Sequence, residues 1–141
     1  MQVENILQSK GRAVLTVSAR ATIGEAVDIL NRHRIGAVVV TDGGKLAGIL
    51  SERDVVRHLG RNWSELADRT VAEVMTRDVV TTGRSASVGE VMETMTERRI
   101  RHLPVVEGGE LLGIISIGDV VKRKIEETEQ EAIALKQYIA S

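Results

Sequence analysis

Two Ser-x-x-Asp spacings carry the chemistry this chain can offer. Ser51 precedes Asp54 in GILSERD (48–54), and Ser116 precedes Asp119 in GIISIGD (113–119). In each stretch an apolar run ends at the Ser and helix-forming residues follow. The Ser therefore sits at a helix N-cap and the Asp in the first turn. The free N–H groups of such a turn, with the positive end of the helix dipole, favour an anion such as phosphate. A carboxylate at that place can accept both hydroxyls of a ribose, as an acidic residue does in dinucleotide folds. The same residues also serve as plain caps, worth about 1 kcal/mol each. Both stretches keep the Asp in an otherwise apolar register, which favours a binding role.

Cationic side chains crowd near these turns. Arg98, Arg99, Arg101 and His102 form one cluster, and Arg53, Arg57, His58 and Arg61 another. Acidic residues gather late, at Glu126, Glu127, Glu129 and Glu131. A solvated face accounts for such runs as readily as a site does. Phosphate prefers Arg for its planar, bidentate fork.

Other chemistries find no support. There is no Cys, which removes disulfides, thiolate catalysis and Cys-based zinc sites. The three His (His33, His58, His102) lack H-x-x-x-H or H-E-x-x-H spacing. No nucleophile with its base is legible, and the Gly pairs before Lys45 and Glu110 are no P-loop. The reading is therefore not an enzyme and carries no catalytic cofactor. Net charge is −1, with one Trp, one Tyr and no Phe. Neither a basic field nor a stacking platform for nucleic acid is present. Trp63 is expected to pack within the linker RNWSELADR, and Met75, Met92 and Met95 to fill the core. No run approaches the roughly 20 apolar residues of a membrane span. Met1–Arg12 lacks a secretory apolar region. The expected location is cytoplasmic.

The elements that must position these residues come from a duplication. Shifted by about 65 residues, Val14–Arg57 falls on Val79–Lys122 without a gap, with roughly 17 of about 45 positions identical. The shared residues include Gly43/Gly108, Gly48/Gly113, Ser51/Ser116 and Asp54/Asp119, and VENIL (3–7) resembles VAEVM (71–75). Each copy reads as strand–helix–strand–strand–helix. Val14–Val17 and Val79–Thr82 are the first extended pieces. Thr22–His33 and Ser87–Arg98 are amphipathic helices opened by Thr22/Glu25 and Ser87/Glu90 capping boxes. Ala37–Thr41 and Leu103–Val106 pair with Leu46–Leu50 and Leu111–Ile115 across DGGK and EGGE turns. One copy has too little core to stand alone. The expected architecture is α+β: two pseudo-symmetric units packed sheet to sheet, at 1–62 and 63–125, with a C-terminal helical tail at 126–141. Ile125, Ile133, Leu135, Tyr138 and Ile139 of that tail should cover a dimer partner or the chain's own module.

This pattern resembles the paired cystathionine-β-synthase (CBS) domains, or Bateman module, of small stand-alone bacterial proteins. GILSERD, GIISIGD, RHLPVV (101–106) and VAEVMT (71–76) carry the resemblance, which covers about residues 3–125. It implies Asp54 and Asp119 on ribose, with Ser51 and Ser116 on phosphate or ribose. It implies adenine held by backbone of Ser18 to Ala21, Gly36 and Ala37 in one copy. In the other copy it implies Gly83 to Ala86, His102, Leu103 and Pro104. Arg53, Arg101 and His102 then face the phosphates, with Arg98, Arg99, Lys122 and Lys10 as further candidates. The implied ligand is AMP, ADP, ATP or NAD(H). The implied role is regulatory: a homodimer that senses the nucleotide and signals to an unidentified protein. The alternative is a structural dimerisation module with vestigial clefts.

Overall fold

The computed structural model describes residues 1–11 and 13–140. Helix α1 (Val3–Lys10) opens the chain, followed by β1 (Thr16–Ser18), α2 (Ile23–His33), β2 (Ala37–Asp42), β3 (Lys45–Ser51) and α3 (Glu52–His58). Two short helices follow, α4 (Trp63–Asp68) and α5 (Val71–Val74). Then come α6 (Val88–Arg98), β4 (His102–Glu107), β5 (Glu110–Ser116) and α7 (Ile117–Ala140). The fold is mixed α+β. It divides into two compact units: Ala13–Val80, and the described residues of Met1–Arg12 and of Thr81–Ser141.

In the first unit, β1 pairs parallel to β2, and β2 pairs antiparallel to β3. The β2–β3 turn is built by Gly43 and Gly44 at φ +58° and +81°. Two consecutive positive φ values are what a tight hairpin needs and what side chains resist. Helix α2 starts where Thr22 Oγ1 accepts from the Glu25 N–H at 3.2 Å, while Glu25 Oε2 accepts from the Thr22 N–H. Its buried face, Ile23, Ala26 and Leu30, packs with Val38, Val40 and Leu50 in one core cluster. Fully burying a side chain such as Ile23 or Leu50 contributes about 1.5–3 kcal/mol.

Helix α5 closes this sheet. The Val71 N–H donates to the Ala21 carbonyl at 2.8 Å and the Ala72 N–H to the Ala19 carbonyl at 3.0 Å. Just beyond, Thr76 and Ile49 exchange main-chain bonds at 2.9 and 3.0 Å. The approach is so close that a Cβ on Gly48 would lie 2.6 Å from the Thr76 carbonyl oxygen.

The second unit repeats the plan with α1 in the place of α5. The Val3 N–H donates to the Ala86 carbonyl at 2.9 Å, and the Glu4 N–H to the Arg84 carbonyl at 2.9 Å. Leu7, fully buried, stands where a Cβ on Gly113 would be. The compact units are therefore offset from the repeat copies, the first taking in α4 and α5. The reason is physical: a short helix ahead of each copy supplies the missing lid of a sheet, and α1 lids the later copy.

Three local expectations change. The first strand of the second unit is reduced to one parallel bridge, Thr82 with Val105. At Ser87 only half of the capping box forms, the hydroxyl accepting from the Glu90 N–H at 3.1 Å. Trp63 opens α4 and stays 42% exposed, while Leu66 supplies that helix's packing. The C-terminal helix is present as expected: α7 runs unbroken for 24 residues.

Candidate functional site

In each unit the chemistry-bearing turn is the step from the second hairpin strand into a helix. Ser51 ends β3 opposite Ala37. Its Oγ accepts from the Asp54 N–H at 3.2 Å, and Asp54 Oδ2 accepts from the Ser51 N–H at 2.9 Å. This is a capping box with Asp in place of the usual Glu. The Ser51 hydroxyl also donates to Asp54 Oδ2 at 3.1 Å, and the Thr76 hydroxyl donates to Oδ1 at 3.2 Å. Asp54 is 7% exposed, the one charged residue in the buried set among the described residues. A buried carboxylate must be satisfied by donors, and these supply that need. One turn later, His58 Nδ1 lies 2.8 Å from the Asp54 carbonyl oxygen. A carbonyl only accepts, so the ring proton sits on Nδ1.

The second unit builds the same box with a cation added. Ser116 ends β5 opposite His102. Its Oγ accepts from the Asp119 N–H at 3.2 Å, and Asp119 Oδ2 accepts from the Ser116 N–H at 2.9 Å. Lys10 Nζ, from the end of α1, reaches the same Oδ2 at 2.7 Å and the Ile114 carbonyl at 3.0 Å. Burial by itself pushes the Asp119 carboxyl up. The Lys10 ammonium and the Ser116 N–H outweigh it and hold the group below the ordinary carboxylate range.

The structure gathers part of the expected set. Gly36 and Ala37 stand at the first turn: the Glu52 N–H donates to the Gly36 carbonyl at 2.9 Å. Arg101 and His102 hold the same places in the second unit, with the Ile117 N–H on the Arg101 carbonyl at 2.8 Å. Arg101 is exposed and His102 half-buried. Arg53 lies exposed in the first turn of α3, beside Asp54 in sequence. Leu103 and Pro104 are buried. Arg98 and Arg99 end α6, and Lys122 is exposed on α7.

Ser18, Ala21 and Ala86 are not brought to these turns. The parallel register sets Ser18 opposite Thr41, whereas Ser51 stands opposite Ala37. Those four residues of strand are about 13 Å. In a parallel pair the end of β1 lies at the end of β2, so the residues before β1, near Val14, are the ones in line with Ala37. Ala21 is also committed elsewhere, its N–H to the Ser18 carbonyl and its carbonyl to the Val71 N–H. Ala86 is held likewise, by Gly83 and Val3.

Two partners escaped the sequence reading. Thr76 lies 22 residues from Asp54, and no spacing rule links them. Lys10, a further candidate for the phosphate end, grips the Asp119 carboxylate, a pairing 109 residues apart in sequence.

The comparisons with known proteins bear on this geometry directly. The model of the CBS domain matches residues 5–61 and 71–126. The chain belongs to the CBS-domain family. The solved CBS-domain protein ATU1752 from Agrobacterium tumefaciens is 45% identical, with a TM-score of 0.84 over 88% of this chain and 99% of that one. The CBS domain pair of protein MJ0100, solved with 5-methylthioadenosine and S-adenosyl-L-methionine, is 29% identical, with a TM-score of 0.79 over 90% of this chain and 98% of that one. The mitochondrial CBS domain-containing protein CBSX3 of Arabidopsis thaliana is 32% identical over 97% of this chain and 71% of its own length. Among the described residues of this CBS pair, no group of three or more His, Asp or Glu gathers as a metal site. No described helix is long and apolar enough to cross a membrane.

Proposed function

We propose that this CBS pair is a regulatory module that binds an adenine nucleotide (AMP, ADP, ATP or NAD(H)) at its Ser-x-x-Asp turns and catalyses nothing. The observation that carries the reading is the pair of matching turns. Each sets a serine hydroxyl and a carboxylate on the first turn of a helix, with small or cationic residues opposite. The adenosine-containing ligands of the MJ0100 pair support the ligand class. Arg101 and His102 in the second unit, and Arg53 in the first, supply the phosphate end. Ligand binding biases a conformational or oligomeric equilibrium by its differential affinity for the two states, and a further protein reads the shift in the cytoplasm. Native mass spectrometry of the purified protein, followed by calorimetry with AMP, ATP, NAD⁺ and S-adenosylmethionine, tests this. Saturable binding to wild type that weakens tenfold or more in Asp119→Ala supports it. No binding by any of the four overturns it.

One observation favours a structural module instead, at least for the first unit. The Asp54 carboxylate is buried and already accepts from Ser51 and Thr76. Under that reading the boxes only cap helices, and no adenine compound shifts the melting temperature.

A further inference from the structure

Helix α7 leaves its own unit uncovered. Val120 is buried and anchors the first turn, but from Thr128 to Ala140 every residue is exposed. That exposed stretch is about 20 Å of helix. A lone helix of this length is marginal in water, so its order needs a covering surface. Val121, Ile125, Ala132, Leu135 and Ile139, with the polar Thr128 between Ile125 and Ala132, follow spacings of 4, 3, 4, 3 and 4, while Ile133 and Tyr138 lie off this row. This is the a/d seam of a coiled coil, and its large members, Ile125, Leu135 and Ile139, are 53%, 59% and 75% exposed.

The flanks select the occupant. With Ile125 and Ile139 at a and Leu135 at d, Lys124 and Glu131 fall at g, and Glu129 and Lys136 at e. In a parallel pair each g residue faces the e residue five places on in the other strand. Lys124 then meets Glu129 of the second copy, and Glu131 meets Lys136 of the second copy. Every such contact is of opposite sign and occurs twice by symmetry. An antiparallel pair on the same seam sets Glu129 against Glu129, Glu131 against Glu131 and Lys122 against Lys136, all repulsive. Within the chain, Lys124 has only a 3.6 Å contact to Glu127, while Glu129, Glu131 and Lys136 form no ion pair among the described residues.

We infer that α7 pairs along this seam with α7 of a second copy of the chain, parallel and in register. The absence of native cysteine makes the test clean. Full-length Leu135→Cys is oxidised mildly and run without reductant. Parallel pairing puts the two thiols face to face, and a disulfide-linked dimer accumulates. Antiparallel pairing holds them about 15 Å apart. Adding Glu131→Lys should weaken association by roughly tenfold, since two pairs turn repulsive. Adding Lys136→Glu as well should restore it. Circular dichroism checks that these exposed substitutions leave the fold intact. No dimer, dimer indifferent to the charge exchange, or faster crosslinking with Glu131→Lys overturns the inference.

Discussion

Lys10 Nζ lies 2.7 Å from Asp119 Oδ2, an ion pair that ties the end of α1 to the first turn of α7 across 109 residues of chain. The equivalent carboxylate, Asp54, has the Thr76 hydroxyl in place of a cation. One duplicated turn therefore exists with a cationic partner and with an uncharged one, and the two respond differently to substitution.

Asp119 is more acidic in the folded chain than in the unfolded one, because Lys10 and the Ser116 N–H outweigh its burial. Its stabilisation is therefore complete above the ordinary carboxylate range. It is lost as pH falls through the lowered folded value. Both side chains are partly exposed, at 39% and 25%, so Lys10→Met should cost only about 0.5–1 kcal/mol at neutral pH. Carbon-13 titration of the Asp119 carboxyl should show its midpoint moving up in that variant. An unmoved midpoint would show that the ammonium is not what holds it down.

Asp54→Ala should destabilise more than Asp119→Ala. It strips a buried acceptor from the Ser51 N–H and from two hydroxyls, a loss of about 1–3 kcal/mol. Asp119→Ala removes a cap of about 1 kcal/mol and its surface ion pair. Urea denaturation of the two variants gives the order directly. For ligand, the proposed ribose contact predicts a loss of ~1.5–3 kcal/mol at the altered turn, read by calorimetry on variants that remain folded.

Gly48 and Gly113 hold the same place in the repeat but should tolerate Ala unequally. A Cβ at Gly48 meets the Thr76 carbonyl oxygen at 2.6 Å, and main chain there cannot step aside without breaking the Ile49–Thr76 bonds. A Cβ at Gly113 meets only the Cδ2 end of Leu7 at 2.6 Å. Gly48→Ala should cost about 1–3 kcal/mol, and Gly113→Ala less. Equal losses in chemical denaturation would place the crowding elsewhere.

Helices α2 and α6 both end on an arginine in the left-handed region, Arg34 at φ 52° and Arg99 at φ 54°. Glycine is the residue that adopts this conformation without a Cβ clash. Arg34→Gly and Arg99→Gly should each raise stability by about 0.5–1 kcal/mol, measured as a later denaturation midpoint at unchanged slope. A fall in stability would mean that the arginine side chains contribute more than the strain removes.

The helices, hairpins and caps were legible in the residues because each is local. Thr22 with Glu25, Ser51 with Asp54 and Ser116 with Asp119 are all three residues apart, and the Gly pairs satisfy positive φ within their own turns. The duplication, the family and the Ser-x-x-Asp turns followed from those signals. The positions of Ser18, Ala21 and Ala86 did not. Their placement depends on strand register, and a parallel pair leaves no mark in the intervening residues to say which end of one strand meets which end of the other.

What the chain's residue order determined by itself was therefore the capping bonds at Thr22, Ser51 and Ser116 and the two glycine-pair turns, and with them the two places where the carboxylates stand. What the tertiary structure decided was which helix lids which sheet, and hence that Asp119 faces Lys10 while Asp54 faces Thr76. Those contacts join residues 109 and 22 positions apart. They arise because folding brings distant surfaces together to bury apolar area, a process indifferent to sequence spacing.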